Sequence, residues 1–299
     1  MRSLKVTNLR EPTDFNDLAN ALAAGDDTLF FFGGTHFNRT TDGKTFTHAE
    51  LDIGVRGVMA KGVDVWTCGT GLLRSTDGGQ KFKPIALPAA TAKLMSGFAG
   101  GLFAIAEDGD GWIWTGGADG LLLSGDGSKF MVVKGLAKEQ VTCVIAGGDG
   151  GAAIIATDRG RVFLGKQRKV APAKLATKGP IYGACVTPHG TVVLVGDATP
   201  LGPKRAAPVG VAFRSEDGGK TFNAAKAPKV LPLRSIASLP DGRLIAGGEA
   251  DTLLVSNDDG ESFSAIPHVI KHDRAFASAV LFRGAVYATG PGQALVRIA

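Results

Sequence analysis

Ser215–Phe222 reads SEDGGKTF, and the phrase returns at Ser256–Phe263 as SNDDGESF and at Ser75–Phe82 as STDGGQKF. Two shorter versions lack one residue, TTDGKTF at Thr40–Phe46 and SGDGSKF at Ser124–Phe130. Each phrase describes a hairpin. A Ser or Thr ends one strand. The Asp (Asp42, Asp77, Asp126, Asp217, Asp258) folds its carboxylate back onto backbone N–H groups of the turn. The glycines supply positive φ, and the Phe starts the return strand. Every part serves turn geometry, so these five aspartates are structural.

Working outward, each phrase has the same preface: an apolar strand ending in small residues, a Gly-rich turn, then a second apolar strand. VDVWTCGTGLLRSTDGG from Val63, WIWTGGADGLLLSGDG from Trp112 and RLIAGGEADTLLVSNDDG from Arg243 are examples. The preface recurs without a proper phrase at AAIIATDRGRVFLG from Ala152 and AVYATGPGQALVRIA from Ala285. The stretches from Thr28 and Thr191 complete seven units. A further apolar run precedes each preface, as in VRGVMAKG at Val55 and IYGACVTPHG at Ile181. One unit is therefore four strands, repeated every ~40–50 residues, the spacing of propeller blades.

The expectation is an all-β, seven-bladed β-propeller of four-stranded antiparallel blades, one domain over 1–299. The blades are placed at about 14–50, 51–89, 90–137, 138–177, 178–229, 230–270, and 271–299 plus 1–10. The last unit lacks its fourth strand, so Ser3–Leu9 (SLKVTNL) is expected to supply it and close the ring, sparing a strand edge. FNDLANALAA at Phe15–Ala24 has helix-forming composition. Repeat register makes it an innermost strand, and strand is predicted there.

Of the 299 residues, 43 are Gly, in keeping with many tight turns, and the net charge is +5. The basic residues are dispersed, which argues against a dedicated nucleic-acid binder. Cys68, Cys143 and Cys185 lie in apolar runs with no close pairing, so reduced buried thiols are expected. No apolar leader precedes the first strand and no run reaches membrane-span length. A cytoplasmic, soluble chain without membrane insertion, monomeric on its own, is the expectation.

The phrases resemble the BNR or Asp-box repeat, S-x-D-x-G-x-T-W, with Phe in place of Trp. Together with their prefaces they are similar to the photosystem II assembly-factor propellers and, more loosely, to sialidases, sortilin-type receptors and xyloglucanases. The resemblance covers nearly the whole chain and implies a scaffold more than an activity. The Phe/Tyr-Arg-Ile-Pro segment of sialidases is absent, and Tyr182 and Tyr287 are the only tyrosines. Glu107, Asp119, Glu139 and Glu249 are acidic residues outside the phrases, on different blades, and nothing in the sequence pairs them across a cleft. Trp66, Trp112 and Trp114 lie on apolar strands and read as core.

The functional expectation is a non-catalytic protein-binding or complex-assembly propeller, with no cofactor. The alternative is a carbohydrate-active enzyme, a glycosidase or lyase, or a glycan-binding lectin acting at the central opening. Binding is expected on the face opposite the aspartate turns. Two long loops lie there, Asp197–Gly210 with Lys204 and Arg205, and Pro267–Arg274 with His272. Arg56, Arg234 and Arg274 fall near the entries of inner strands, where an arginine-lined mouth would take an acidic peptide or a carboxylate. His268, His272 and His36 are histidines near one another in the ring. The spacing of four falls on a loop, however, and no metal site is expected from it.

Overall fold

The computed structural model describes residues 4–10, 20–96, 100–203, 206–268, 275–290 and 294–299. After β1 (Val6–Arg10), one sheet takes six strands: β2 (Asn20–Ala24), β3 (Leu29–Thr40), β4 (Thr47–Lys61), β5 (Asp64–Gly69), β6 (Leu72–Ser75) and β7 (Lys83–Pro84). A helical turn at Ala92–Met95 leads to the next sheet. Four antiparallel meanders of four strands follow. The first is β8 (Leu102–Glu107), β9 (Ile113–Gly117), β10 (Leu122–Gly125) and β11 (Phe130–Val132). The second is β12 (Val141–Ile145), β13 (Ala153–Thr157), β14 (Val162–Lys166) and β15 (Lys169–Pro172). The third is β16 (Ile181–Val186), β17 (Val192–Asp197), β18 (Gly210–Ser215) and β19 (Asn223–Ala224). The fourth is β20 (Leu233–Ser238), β21 (Leu244–Gly248), β22 (Leu253–Ser256) and β23 (Ser264–Ala265). The last sheet joins β24 (Ser278–Phe282), β25 (Ala285–Gly290) and β26 (Ala294–Ile298) to β1 on its outer edge.

The innermost strands touch their neighbours in the cyclic order β2, β4, β8, β12, β16, β20, β24 and back to β2. The arrangement is a closed propeller. Second strands such as β9 (IWTGG) and β17 (VVLVGD) are buried along their whole length. Both of their faces pack on neighbouring sheets, so they read as continuous apolar runs and do not alternate. Each of six core clusters fills one interface between sheets. Trp114 and Leu122, for example, meet Val141, Ile155 and Phe163 of the next sheet. Leu29 and Phe31 of the first sheet meet Tyr287 and Leu295 of the last, which closes the ring with the same kind of contact. Each such buried side chain contributes about 1.5–3 kcal/mol.

The sequence predicts seven separate four-stranded blades; among the described residues there are six, five of four strands and one of six. The reason is β4, which runs without a break across the junction of the first two units. Its first half pairs with β3 (Arg39↔Thr47, His36↔Glu50), and its second half pairs with β5 (Lys61↔Asp64, Val55↔Gly69). The pair Gly34↔Val55 links the two halves. Nor is β3 straight. The rings of Phe32 and Phe37 stack at 4.8 Å between centroids, whereas five residues of straight strand span about 17 Å. The chain turns back at Gly34, whose φ is +59°, and a further core cluster, with Phe30, Phe32, Phe37 and Val65, packs inside this one sheet.

The strand predicted over Phe15–Ala24 is present as Asn20–Ala24, paired from Ala24↔Leu29 to Asn20↔Gly33; residues 15–19 lie outside the described residues. The strand expected from Ser3–Leu9 is β1, paired from Val6↔Ile298 to Arg10↔Leu295. Lys5 and Ala299 extend the ladder, the Lys5 N–H donating to the Ala299 carbonyl at 2.8 Å and the Ala299 N–H returning at 3.1 Å. At the inner end of the seam the Leu22 N–H donates to Ser278 Oγ. On the outside, Arg283 reaches the Thr41 carbonyl and the Asp27 carboxylate.

The aspartate turns are hydrogen-bonded as their sequence requires. Asp217 Oδ1 accepts from Ser215 Oγ (2.7 Å), Lys220 N–H (3.0 Å) and Thr221 N–H (2.9 Å), while Ser215 Oγ accepts from the Gly219 N–H. Asp77 and Asp258 repeat the pattern with Ser75 and Ser256. Asp42 does so with Thr40, and Asp126 accepts from Ser128 and Lys129. The Lys129 and Ser128 N–H groups hold the Asp126 carboxyl down at about 2. Burial pushes Asp217 up, but the bonds from Thr221, Ser215 and Lys220 more than reverse this, to about 2. Asp42 lies lower still, held chiefly by the Thr45 and Lys44 N–H groups.

Candidate functional site

Five inner strands carry an irregularity at the same place, near their entry. The register slips between Val55 and Gly57, Leu102 and Ala104, Val141 and Cys143, Ile181 and Gly183, and Leu233 and Ser235. The residue skipped is Arg56, Phe103, Thr142, Tyr182 or Arg234, each half-buried, and all but Phe103 stand between two buried neighbours. A bulge frees one residue from the ladder and re-aims its side chain. These five therefore leave the alternation of their strands, and two pairs of them, Arg56 with Phe103 and Arg234 with Tyr182, meet across adjacent inner strands. The residue after each bulge is small because the next inner strand lies against it: a Cβ on Gly57 would come within 2.8 Å of the Phe103 carbonyl oxygen.

The side chains of this belt interlock. The Arg56 guanidinium lies 4.6 Å from the centroid of the Phe103 ring, and its Nη1 donates to the Gly100 carbonyl at 2.6 Å. Thr142 Oγ1 donates to the Ile181 carbonyl. Arg234 sits 3.9 Å from the centroid of the Tyr182 ring and is ion-paired to Glu249, with Nε to Oε1 at 3.0 Å. Stacking on an aromatic face and pairing with a carboxylate both suit the planar guanidinium. The loop that presents Glu249 is strained: Ala250 and Asp251 hold φ of +50° and +55°, a left-handed conformation that costs about 1–2 kcal/mol per residue.

Beside Gly100 the same face opens into a hollow of about 480 Å³ between the sheets of β8–β11 and β12–β15. It is lined by Lys93, Asp119, Lys138, Gln140, Asp158 and Arg159. A second hollow of about 550 Å³ adjoins it, sharing Lys138 and Arg159 and adding Lys178 and Pro200. Lys93, Lys138, Arg159 and Lys178 are all exposed, and none is ion-paired to another described residue. The acids here are differently placed. Glu139 is tied to Arg161 at 3.0 Å and to Thr157 Oγ1 at 2.8 Å. Burial pushes the Asp158 carboxyl up, against the pull of the Gln140 N–H that it accepts. The balance of accessible charge along the groove is positive.

Of the residues singled out in sequence, Arg56 and Arg234 are brought into one belt. Lys204, Arg205, Arg274 and His272 lie outside the described residues. The loop of Lys204 and Arg205 is nonetheless anchored at its base. Buried Asp197 accepts from the Thr199 N–H (2.8 Å) and the Val209 N–H (3.1 Å), and Pro200 borders the second hollow. The five turn aspartates are occupied by their turns. Of the four acids considered for a glycosidase, Glu107 pairs with Lys61, Glu139 with Arg161 and Glu249 with Arg234. Sequence reasoning missed Phe103, Thr142 and Tyr182. Their signal is the triplet of large apolar residue, any residue, small residue (VRG, LFA, VTC, IYG, LRS), which recurs at the entry of these strands.

No protein-family model matches the chain, and no curated protein matches it in sequence. Solved structures do match. YCF48 bound to D1 peptide shares the fold with a TM-score of 0.69 and 16% identity, over 99% of this chain and 97% of that one. YCF48 from Cyanidioschyzon merolae matches at 0.70 and 13%, over 98% of each chain. The WD40 β-propeller domain of Doa1 matches at 0.70 and 12%, over 98% of this chain and 96% of that one. At these identities the likeness is one of fold: the chain is a β-propeller of antiparallel blades. The narrower BNR-repeat and sialidase-like resemblance finds no support among the matches.

Proposed function

We propose that this propeller binds a protein partner, holding an acidic segment of it against the face opposite the aspartate turns. The observation that carries the reading is the groove beside Arg56, where four exposed cations have no ion pair among the described residues. An extended segment laid there would meet Lys93, Lys138, Arg159 and Lys178 in turn. Complementary charge of this kind sets approach and orientation more than raw affinity. The YCF48 structure with a bound D1 peptide is compatible with a peptide-holding role for this fold. A role in assembling a larger complex belongs to the same proposal. A glycan-binding reading finds less to work with, because Trp66 and Trp114 are buried in the core.

Fluorescence anisotropy with a labelled glutamate-rich peptide of eight to twelve residues tests this. Binding should weaken as salt rises past the point where exposed charges are screened. Lys138→Glu/Arg159→Glu should lose on the order of tenfold in affinity, each reversed exposed pair contributing up to about 1 kcal/mol. Equal binding by wild type and the double variant, or none by wild type, overturns the reading.

A further inference from the structure

We propose that the β3–β4 hairpin carries a binding site for a divalent transition metal, zinc by preference, made of His36, His48 and Glu50 and oriented by Asn38. The inference stands apart from the groove and does not depend on it. It also differs from the grouping of His268, His272 and His36 considered in the sequence, since two of its three ligands are new.

The backbone register brings these residues together. His36 lies directly across the ladder from Glu50, and Asn38 directly across from His48. Side chains two apart on a strand share a face, so all four project from the same side of the two-stranded ribbon. Opposed Cβ atoms in such a ladder are about 4.5–5.5 Å apart, and those two apart on one strand about 6.5–7 Å. A tripod of that size is spanned by imidazole and carboxylate arms meeting an ion at about 2.0–2.2 Å. The side chains already associate. His36 Nδ1 is 3.6 Å from Glu50 Oε1, and the imidazole rings of His36 and His48 lie 5.3 Å apart between centroids.

Asn38 supports the site in the way metal-bound histidines usually need. It is buried, and its Oδ1 lies 3.3 Å from His48 Nδ1. With the proton on Nδ1, His48 donates to Asn38 and presents Nε2 as the ligand atom, so a neighbour fixes tautomer and ring orientation. Among the described residues no three ligating groups yet surround one point. Convergence requires only rotation about side-chain bonds, Glu50 swinging in toward His48, whose ring stays on Asn38. His48 and Glu50 are both exposed, Glu50 with 71% of its side chain accessible, so solvent can deliver the ion without backbone movement. Two imidazoles and one carboxylate form a donor set suited to Zn²⁺, and three protein ligands leave a fourth position for water.

The test is a titration of tag-free protein with Zn²⁺ in competition with a chromophoric chelator, repeated with Co²⁺ to read the visible bands of a low-symmetry site. Wild type should take up one ion per chain at this hairpin and give the Co²⁺ bands. His48→Ala and Glu50→Gln should each weaken binding at least tenfold, and Asn38→Ser about tenfold, the usual scale for an orienting partner. Thermal unfolding in EDTA should leave Glu50→Gln with the wild-type midpoint, because 71% of that side chain is exposed. Zinc should raise the midpoint of wild type and not that of the variant. Wild type that takes up no ion overturns the proposal, as does a His36→Ala/His48→Ala double variant that binds as tightly as wild type.

Discussion

A carboxylate that gathers three donors at the end of a strand acts as a small clamp on the return of the chain. The aspartate turns are clamps of this kind, and their strength depends on ionisation. Asp126 and Asp217 titrate near about 2 in the fold, against 3.8 for an unperturbed aspartate. A carboxyl lowered by folding stabilises the fold fully above its unfolded value. That contribution is lost as pH falls through the folded value. The thermal midpoint should therefore decline between pH 4 and pH 2, and Asp126→Asn/Asp217→Asn should flatten that decline. Asp217→Ala should cost about 1–2 kcal/mol in urea unfolding at pH 7, the scale of a few hydrogen bonds with partners left unsatisfied. The thiols behave in the opposite way. Burial pushes Cys68 and Cys143 up to about 12, and the thiolate is the reactive form. Neither should label with iodoacetamide at pH 8 in native protein, and both should label in denaturant, as counted by mass spectrometry.

At the level of elements, second strands end in a small residue because the segment entering the neighbouring inner strand passes against them. A Cβ on Gly117 would lie 1.9 Å from the Gly101 carbonyl oxygen, a backbone atom that cannot swing away. Gly117→Ala should cost at least about 2–3 kcal/mol, at the upper end of overpacking effects, visible as a lowered urea midpoint with unchanged slope. This requirement made the strands legible before any coordinates, since WTCG, WTGG and IAGG mark where each second strand stops. The bulges were harder to read. VRG and IYG look like ordinary stretches of strand until the ladder shows Arg56 and Tyr182 skipped. The merging of the first two units was not legible at all. The run LDIGV at 51–55 contains neither Pro nor a turn pair, so nothing local says whether the chain breaks there or, as it does, continues as β4. The groove was out of reach for a related reason: Lys93, Lys138, Arg159 and Lys178 are scattered over 86 positions of the chain, and only the packing of two sheets brings them to one face.

For the whole molecule, stability rests on interfaces that run around the ring and must meet at the seam. The hydrophobic contacts between Leu29 or Phe31 and Tyr287 or Leu295 make that seam part of the core, and β1 covers the outer edge of β26. Removing residues 1–10 should leave β26 as a bare edge. The truncated protein should unfold at lower temperature and self-associate in sizing experiments, because an unpaired strand edge is a template for another chain. The arginine belt should survive only in part: Phe103, Thr142 and Tyr182 lie on sheets away from the seam, whereas Arg56 belongs to the first sheet, which forms the seam.

The pairing of β1 with β26 also imposes an order of events on biosynthesis. Val6 and Ile298 are partners across the ladder, so β1, once translated, must wait for β26. At ordinary rates of translation that delay is roughly 15–60 s for a chain of this length. During it the segment from Val6 to Arg10 has no resident neighbour, and the growing protein carries an unmatched strand at each end of an open arc.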